Sequence, residues 1–299
     1  MAEPLSAPAF GLRRSRARAG AVVAAFRPRQ WTKNLLVFAG IVFAAQLGDR
    51  DRWAAAIVAF LAYCAASSAS YLLNDVRDAA ADRLHPVKRR RPVAAGDLAP
   101  ATALAVAAVL AGLALVLAAA LGAPSLGCMV AFLALQGAYS LWLKSVELVD
   151  VLAIAGLFVL RAAAGAIAVD VRISPWLLVC TFLLALFLGL AKRHAELQLE
   201  GARARAALDG YSRDLLDRLL DVVAAATIVA YAAYTLTAHQ PRWLVLTVPL
   251  VVFGLFRYLW LLHRRGLGEE PEAVLVTDLP ILLTVAAWAT TCAAAVASG

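Results

Sequence analysis

The longest uncharged stretch of the chain limits its fold more than any other feature. Forty-six consecutive residues between Asp97 and Lys144 carry no charged side chain. As a helix they would extend about 69 Å at about 1.5 Å per residue, enough to cross a hydrocarbon layer about 30 Å thick twice. Gly122 and Pro124 divide the stretch, because proline cannot continue a helix interior and glycine readily reverses the chain. We therefore expect two transmembrane helices joined by a tight turn.

Composition extends this expectation to the whole chain. Its 299 residues are 63% hydrophobic and 16% charged, whereas soluble domains have about 45–50% apolar and about 25% charged residues. Soluble enzymes and disordered chains are excluded. The four cysteines stand singly in apolar runs, with no CxxC and no histidine at metal-ligand spacing, so we expect no disulfide or zinc framework. We predict an all-α integral membrane protein with about nine transmembrane helices. The expected spans are 34–48, 53–73, 99–121, 124–143, 149–169, 174–191, 219–238, 243–262 and 278–297.

The distribution of lysine and arginine predicts the orientation. With nine crossings, 23 of these residues fall on one side, four on the other and one, Arg161, within a span. Since the positive side faces the cytoplasm, we expect the N-terminus, the long loops and the chemistry there, in the inner (plasma) membrane. The apolar stretch 19–26 is short for a signal peptide, so we expect it to be retained. We divide the chain into a basic N-terminal tail, 1–26, and one transmembrane domain, 27–299.

An acidic segment follows the second predicted helix. Asp75, Asp78 and Asp82 stand at i, i+3 and i+7, so a continuing helix places them on one stripe. Asn74, four residues before Asp78, falls on the same stripe. Like charges on one face repel, and Mg²⁺ is the cation that fits between them, because it binds carboxylates together with phosphate oxygens and water. The structural alternative is a solvated helix end paired with neighbouring arginines.

A basic run, residues 88–91, follows within six residues of the last of these acids. Such a run at a membrane edge most often sets topology and contacts anionic lipid. Beside the acidic stripe it also supplies cations for phosphate, and a diphosphate-bearing substrate needs both signs. Lys88 and Arg91 are therefore candidate substrate-binding residues.

A second polar group stands where the sixth predicted helix ends. Lys192, Glu196 and Glu200 repeat every four residues and share a helix face, and Arg193 and His194 are expected to turn away from it. Taken alone, this spacing indicates a salt bridge on a wetted helix. Tyr211, in the polar turn before the seventh helix, is a weaker candidate for a hydrogen bond to phosphate.

Two further cations lie in or beside predicted spans. Arg161 is central in the fifth span, where an arginine costs at least about 2.5–3.5 kcal/mol, so it should face a cavity or an anionic partner. Snorkelling to the membrane interface is the alternative. Lys33, near Trp31 in the approach to the first helix, is either a surface anchor or a contact for lipid phosphate.

These motifs resemble those of the UbiA superfamily of intramembrane prenyltransferases. Residues 74–82 match its Asn-Asp-x-x-Asp-x-x-x-Asp motif, and 88–96 are similar to its Lys-Arg-x-Arg-Pro-x-x-x-Gly continuation. The resemblance implies a helical bundle around a cytoplasm-facing, laterally open cavity, where two aspartate-rich motifs hold Mg²⁺ and an isoprenoid diphosphate. At the second motif this chain departs from the typical member, because residues 192–197 read Lys-Arg-His-Ala-Glu-Leu. Exchanging carboxylates for cations favours extra phosphate over extra metal.

The chain is most similar to the branch of that superfamily that transfers phosphoribosyl groups to decaprenyl phosphate in mycobacteria and related actinobacteria. The similarity is carried by segments 27–31, 71–78, 138–141, 192–197 and 268–272. It implies that 5-phosphoribosyl diphosphate is the donor and a polyprenyl phosphate the acceptor, for cell-wall arabinan synthesis.

On this reading each group of residues has an expected role. Asp75, Asp78 and Asp82 are catalytic Mg²⁺ ligands. Lys192 and Arg193 seat the donor's 5-phosphate, and the lipid phosphate is assigned to Arg161, Lys33 or the 88–91 run. Asn74, Glu196 and Tyr211 complete the predicted substrate-binding set.

Other functions remain open from the sequence. The nearest is a UbiA-type aromatic prenyltransferase that uses a polyprenyl diphosphate. A transporter would spread charge pairs through several spans and show inverted repeats, and a scaffold would show no metal dependence. We expect membrane lipid but no nucleic acid as a partner, and a homo-oligomer is left open.

Overall fold

The computed structural model describes residues 20–43, 48–200, 210–237, 241–268, 273–274 and 277–298, and these residues form helices and no strand. The α-helices are α1 (Ala39–Phe43), α2 (Arg50–Arg77), α3 (Ala79–Leu84), α4 (Pro92–Ala95), α5 (Pro100–Ala120), α6 (Ala123–Leu141), α7 (Val149–Ala168), α8 (Pro175–Glu200), α9 (Arg213–Thr237), α10 (Val248–Arg265) and α11 (Leu279–Ser298). Short 3₁₀ helices cover Pro28–Phe38, Lys88–Arg90, Leu143–Ser145 and Arg242–Thr247.

In the described part of the chain, seven helices are long and apolar enough to cross a membrane, and a shorter apolar helix covers Leu279–Ala295. The seven correspond in order to the second to eighth predicted spans, and the short helix corresponds to the ninth. The predicted turn between the third and fourth spans is confirmed, with Gly122 at a φ of 105° and Pro124 in the first turn of α6. The protein is therefore a multi-pass membrane protein.

The first predicted span, 34–48, takes a different form. The segment Pro28–Phe38 is a 3₁₀ helix that runs into the short α1, and residues 44–47 lie outside the described part. The backbone here lies directly against α7, since a Cβ on Gly165 would stand 1.9 Å from the Val37 carbonyl oxygen. Close packing against α7 thus accompanies the departure from a regular α-helix. The count of nine crossings stays a prediction.

Residues 20–26, which the sequence assigns to the tail, are helical and pack on the bundle. Ala25 is buried in an apolar cluster with Ala69 and Leu72, and Ser68 donates a hydrogen bond to the Phe26 carbonyl. The four arginines between residues 13 and 18 lie outside the described residues. The described end of the tail is therefore attached to α2.

Two apolar clusters hold the bundle together. One joins α2, α5, α6 and α7 around Tyr63 and Phe132, and the other joins α8, α9 and α10 around Phe187, Leu220 and Leu261. Small residues allow close approach in the first cluster. Along α5 the buried positions are all alanines, which let helices pack by van der Waals contact in lipid. They are Ala103, Ala107, Ala114 and Ala118.

Candidate functional site

The acidic segment begins inside the last turn of α2 and continues into α3. Asp78 ends α2, and Ala79 begins α3 without a reversal of the chain. Backbone hydrogen bonds of 2.9 Å from Asp78 to Asn74 and 2.8 Å from Asp82 to Asp78 keep the helical i to i+4 spacing through this break. The predicted stripe is therefore preserved across two helices.

Asp75 and Asp82 share one arginine. The Arg91 Nη1 atom lies 3.5 Å from Asp75 Oδ1 and 2.7 Å from Asp82 Oδ2. Both carboxylates are buried, and Asp75 also forms an ion pair with Arg27. Because a single guanidinium nitrogen reaches both acids, these two carboxylates face a common space.

Asp78 pairs with a lysine from another part of the chain. The Lys144 Nζ atom donates hydrogen bonds of 2.7 and 2.9 Å to its two carboxylate oxygens, and a third of 3.2 Å to Asn74 Oδ1. Lys144 lies in the 3₁₀ helix between α6 and α7. The stripe thus meets cations from three separate segments, which offset the repulsion between its charges.

The sequence does not indicate that two of these cations, Arg27 and Lys144, meet the acidic stripe. Arg27 lies 48 residues from Asp75, and Lys144 lies 66 residues from Asp78. One sequence feature marks Lys144, namely its position at the end of the long uncharged stretch. The feature that marks Arg27 is its place in the Arg-Pro-Arg-Gln-Trp segment, which is part of the similarity to the phosphoribosyl-transferring branch.

Arg27 also has an uncommon backbone conformation. Its φ of 53° lies in the left-handed region, which side chains other than glycine seldom adopt. Its guanidinium lies 5.0 Å from the centre of the Tyr71 ring and reaches Asp75. The strained turn before the Pro28–Phe38 helix therefore directs a cation toward the acidic stripe.

The residues of the stripe fit a Mg²⁺ ion. Within the described part of the chain, the buried Asp75 Oδ2 atom has no hydrogen-bond partner. A buried carboxylate oxygen without a partner is costly, and a divalent cation would satisfy it. The donor set of three carboxylates and the Asn74 amide oxygen consists of the hard oxygen ligands that Mg²⁺ prefers.

The second motif forms a buried network around Arg193. Its Nε donates a 2.7 Å hydrogen bond to Asp150 Oδ2, its Nη1 pairs with Glu196, and its Nη2 lies 3.5 Å from the Tyr139 hydroxyl. The prediction that Arg193 turns away from Glu196 is wrong, because residues three apart on a helix are neighbours. Two carboxylates therefore already hold this guanidinium.

Tyr211 belongs to the same network. Its hydroxyl donates to Asp150 Oδ1 at 3.0 Å and accepts from the Leu148 backbone N–H at 2.7 Å. Burial, with the Asp150 carboxylate nearby, raises the pKa of Tyr211 to about 12. The hydroxyl predicted to meet phosphate is thus engaged with protein groups in this structure.

Lys192 is the more exposed cation of the second motif. Its side chain is 37% exposed, and its Nζ lies 3.8 Å from Glu196 Oε1. The side chain of Glu200 lies outside the description, so the predicted four-residue repeat can be followed only to Glu196. Lys192 thus offers more accessible positive charge than Arg193, which is 1% exposed.

One short segment connects the two motifs. Lys144, at its start, binds Asp78 of the first motif, and Asp150, six residues later, binds Arg193 of the second. Between them, Leu148 has a φ of 62° and bonds to Tyr211. The link between α6 and α7 therefore brings both motifs to the same end of the bundle, which we call the polar end.

The remaining predicted site residues, Arg161, Lys33 and Lys88, each have their own contacts. Arg161 is buried, with its Nε 2.8 Å from Asn34 Oδ1 and its guanidinium against the rings of Phe132 and Phe158. Lys33 is half-buried and donates a 2.6 Å hydrogen bond to Gln30 Oε1. Lys88 is half-buried in the basic turn, where its backbone N–H bonds to His85 Nδ1.

Comparison with known proteins identifies the family. The pattern of the UbiA prenyltransferase family matches residues 35–277. The chain belongs to this family. Among UbiA-family relatives, it is 35% identical over 293 residues to a protein of Mycolicibacterium smegmatis named decaprenyl-phosphate phosphoribosyltransferase, covering 92% of each chain. A Mycobacterium tuberculosis protein of the same name is 36% identical over 288 residues, covering 93% of this chain and 95% of the relative.

A solved structure supports the UbiA fold. A UbiA homolog from Archaeoglobus fulgidus, bound to DMAPP and Mg²⁺, superposes with a TM-score of 0.74 at 20% identity. The superposition covers 92% of this chain and 99% of that protein. The predicted family and all-helical membrane fold are confirmed.

Proposed function

We propose that this UbiA-family protein transfers a 5-phosphoribosyl group from phosphoribosyl diphosphate to a polyprenyl phosphate, such as decaprenyl phosphate, and releases diphosphate. The observation that carries the proposal is the pairing of an acidic stripe with Lys192, the accessible cation of the second motif. The names of the nearly full-length relatives from mycobacteria support it. The product would supply decaprenyl-linked arabinose for cell-wall arabinan.

The setting of the reaction follows from the topology proposed above. The chain crosses the inner (plasma) membrane nine times, with 27–299 as its catalytic domain and 1–26 as a basic tail. The polar end faces the cytoplasm, where the water-soluble donor is available, as the lysine and arginine distribution favours. A cavity open sideways to the bilayer admits the polyprenyl chain.

Asp75, Asp78 and Asp82 would hold Mg²⁺ against the diphosphate of the donor. When bound, the metal supplies positive charge that stabilises the leaving diphosphate. Two of the cations that pair with these acids, Arg91 and Lys144, are placed to exchange a carboxylate for a phosphate oxygen. Carboxylates balance the charges of Arg91 and Lys144 before the exchange, and phosphate oxygens balance them after it. This lowers the free-energy cost of the exchange.

The acceptor needs orientation rather than activation. A lipid phosphate oxygen is already anionic, so it attacks ribose C1 without a general base while the bond from C1 to the diphosphate oxygen breaks. Attack from the opposite face inverts the anomeric carbon. We assign the lipid phosphate to Lys33, Arg161 or the 88–91 run. Arg161 favours a nearby anion, since its described contacts are with an amide, a carbonyl and two aromatic rings.

The donor's second phosphate needs a separate cation. Lys192 suits that role because it is the accessible charge of the second motif. Arg193 stays bound to Asp150 and Glu196 and so positions this part of α8. On this assignment, Lys192→Ala raises the KM for the donor and leaves the KM for the lipid nearly unchanged.

A substrate-pair assay tests the proposal. The purified full-length protein is given Mg²⁺ with ¹⁴C-ribosyl phosphoribosyl diphosphate and decaprenyl phosphate, and separately with a polyprenyl diphosphate and an aromatic acceptor. We expect ¹⁴C to enter the lipid phase from the first pair and no prenylated aromatic product from the second. Turnover of the second pair with no label in the first would overturn the proposal in favour of aromatic prenylation.

A further inference from the structure

A second group of potential metal ligands lies away from the acidic stripe. His194 near the end of α8, Asp217 in the first turns of α9 and His263 near the end of α10 converge, with ligand atoms all within 4.8 Å of one another. Asp217 Oδ1 is 3.0 Å from His194 Nε2 and 3.1 Å from His263 Nε2. Three helices therefore contribute one ligand atom each to the same point.

The hydrogen bonds of His263 direct its Nε2 atom toward the Asp217 carboxylate. Its Nδ1 lies 2.8 Å from the Leu259 carbonyl oxygen, and because a carbonyl can only accept, Nδ1 carries the proton. In the neutral ring, Nε2 then carries a lone pair that faces the Asp217 carboxylate, and the lone pair and the carboxylate repel each other. Either a second proton or a metal ion must lie between them. A carbonyl bond to the far ring nitrogen is also the usual arrangement around a metal-bound histidine.

His194 can take the same state. Its Nδ1 lies 3.4 Å from the Gln198 side-chain nitrogen, and half a turn of that amide would bring its oxygen there to accept a proton from Nδ1. His194 Nε2 would then also present a lone pair. Two imidazoles and a carboxylate that converge in this way form a donor set typical of zinc.

Two of the three separations between ligand atoms are close to those of a tetrahedral site. With bonds of about 2.0–2.2 Å, ligand atoms around zinc stand about 3.3–3.5 Å apart. The two histidine–aspartate separations of 3.0 and 3.1 Å need only small side-chain rotations to reach this value, and the ligand atoms of the two histidines lie within 4.8 Å of each other. His194 is buried, whereas the side chains of Asp217 and His263 are 42% and 46% exposed. A water molecule can therefore provide the fourth ligand.

We propose that His194, Asp217 and His263 bind a Zn²⁺-class transition metal ion that fastens α8, α9 and α10 together at the polar end. This site is separate from the acidic stripe in position and in chemistry. Arg193, the neighbour of His194, points instead to Asp150 of α7 and Tyr139 of α6. The ion would thus fix the end of α8, which carries Lys192 and Arg193, from its other side.

Metal content of the full-length protein tests this site independently of transfer. The detergent-purified protein is stripped with chelator, supplied with Zn²⁺ or Mg²⁺, desalted and measured by elemental analysis and thermal unfolding. We expect one Zn²⁺ per chain and a higher unfolding temperature with Zn²⁺ than with Mg²⁺ alone, because imidazole favours zinc. The matched variants are His263→Gln and the control His85→Gln, which changes a histidine outside the site.

Four variants test whether these three residues bind zinc. His263→Gln and Asp217→Asn change partly exposed side chains, so both are expected to fold; each should weaken Zn²⁺ binding roughly tenfold or more, while His85→Gln keeps it. Asp78→Asn should also keep it, which separates this site from the proposed transfer. A wild-type protein that retains no Zn²⁺, or a His263→Gln variant that binds it as tightly as wild type, would overturn the proposal.

Discussion

At the scale of single residues, Asp78 offers the clearest test of the acidic stripe. Its side chain is 25% exposed and is paired with Lys144, whereas Asp75 is buried between two arginines. Removing the Asp75 charge would take from the half-buried Arg27 the carboxylate that it pairs with and would disturb the packing around this buried position. Asp78 can be changed with less structural cost, so loss of activity would report on chemistry.

We expect Asp78→Asn to lower phosphoribosyl transfer by about 100-fold or more, because the carboxylate helps hold the ion that stabilises the leaving group. Transfer is measured with detergent-purified protein at saturating Mg²⁺. The control is Asp214→Asn, which removes an exposed carboxylate paired with Arg218 at 3.1 Å. Wild-type transfer by Asp78→Asn would contradict the metal role.

Tyr211 links stability to pH. Burial raises its pKa from 10.0 to about 12, so between these values the folded protein keeps a proton that the unfolded chain loses. The unfolded state then binds fewer protons, and the contribution of Tyr211 to stability falls as the pH rises.

The Tyr211→Phe variant isolates that contribution. Wild type should be the more stable protein below pH 10, and the difference in unfolding temperature should shrink as the pH approaches about 12. Thermal unfolding of both proteins in the same detergent measures it. A difference that stays constant over this interval would show that the Tyr211 hydroxyl does not titrate as its surroundings predict.

At the scale of helices, the contact between the Pro28–Phe38 helix and α7 depends on glycine. A Cβ on Gly165 would lie 1.9 Å from the Val37 carbonyl oxygen, and one on Gly40 would lie 2.7 Å from the Ala166 backbone. The helix that begins at Pro28 carries Lys33 and Asn34, and Asn34 binds Arg161. This contact therefore positions several candidate site residues.

Gly165→Ala should separate these helices and destabilise the protein by about 1–3 kcal/mol, as overpacking typically does. The matched control is Gly137→Ala in α6, where a Cβ would meet no atom of the described residues within 4 Å outside its own stretch of helix. The difference between the two variants is read from their thermal unfolding. Equal unfolding temperatures would show that the α7 contact is looser than the structure has it.

The helices also show what the sequence could reveal. The order of apolar spans and the register of Asp75, Asp78 and Asp82 are local properties, set by hydropathy and helical period, and both could be predicted. The partners of those acids, Arg27 and Lys144, depend on which helix ends meet. That information lies in tertiary packing, so it was not visible in the sequence.

The second motif was harder to predict for the same reason. Lys192, Arg193 and Glu196 form a group in the sequence, but Asp150 binds Arg193 from another segment of the chain, and Tyr211 binds Asp150 from a third. Because the sequence does not show these contacts, it predicts Arg193 to be an accessible phosphate ligand. The 3₁₀ form of Pro28–Phe38 was likewise missed, because it accompanies a backbone contact with Gly165 and not a local pattern.

At the scale of the whole molecule, charge is concentrated at one end of an otherwise apolar bundle. The link from Lys144 to Asp150 connects the acidic stripe to the cationic motif, so both phosphate-binding regions proposed here depend on one short segment. A donor with two separated phosphate groups suits this arrangement. A prenyl diphosphate has only one such group and would leave Lys192 without a role in binding.

The fate of a doubly labelled donor tests this conclusion most directly. The donor, phosphoribosyl diphosphate, carries ¹⁴C in the ribose and ³²P in the outer phosphate of its diphosphate group. It is mixed with decaprenyl phosphate, Mg²⁺ and the purified protein. We predict that ¹⁴C enters the lipid phase while ³²P stays in water as diphosphate, in equal molar amounts. Release of ³²P without ¹⁴C in the lipid, or transfer of neither label, would contradict phosphoribosyl transfer by this protein.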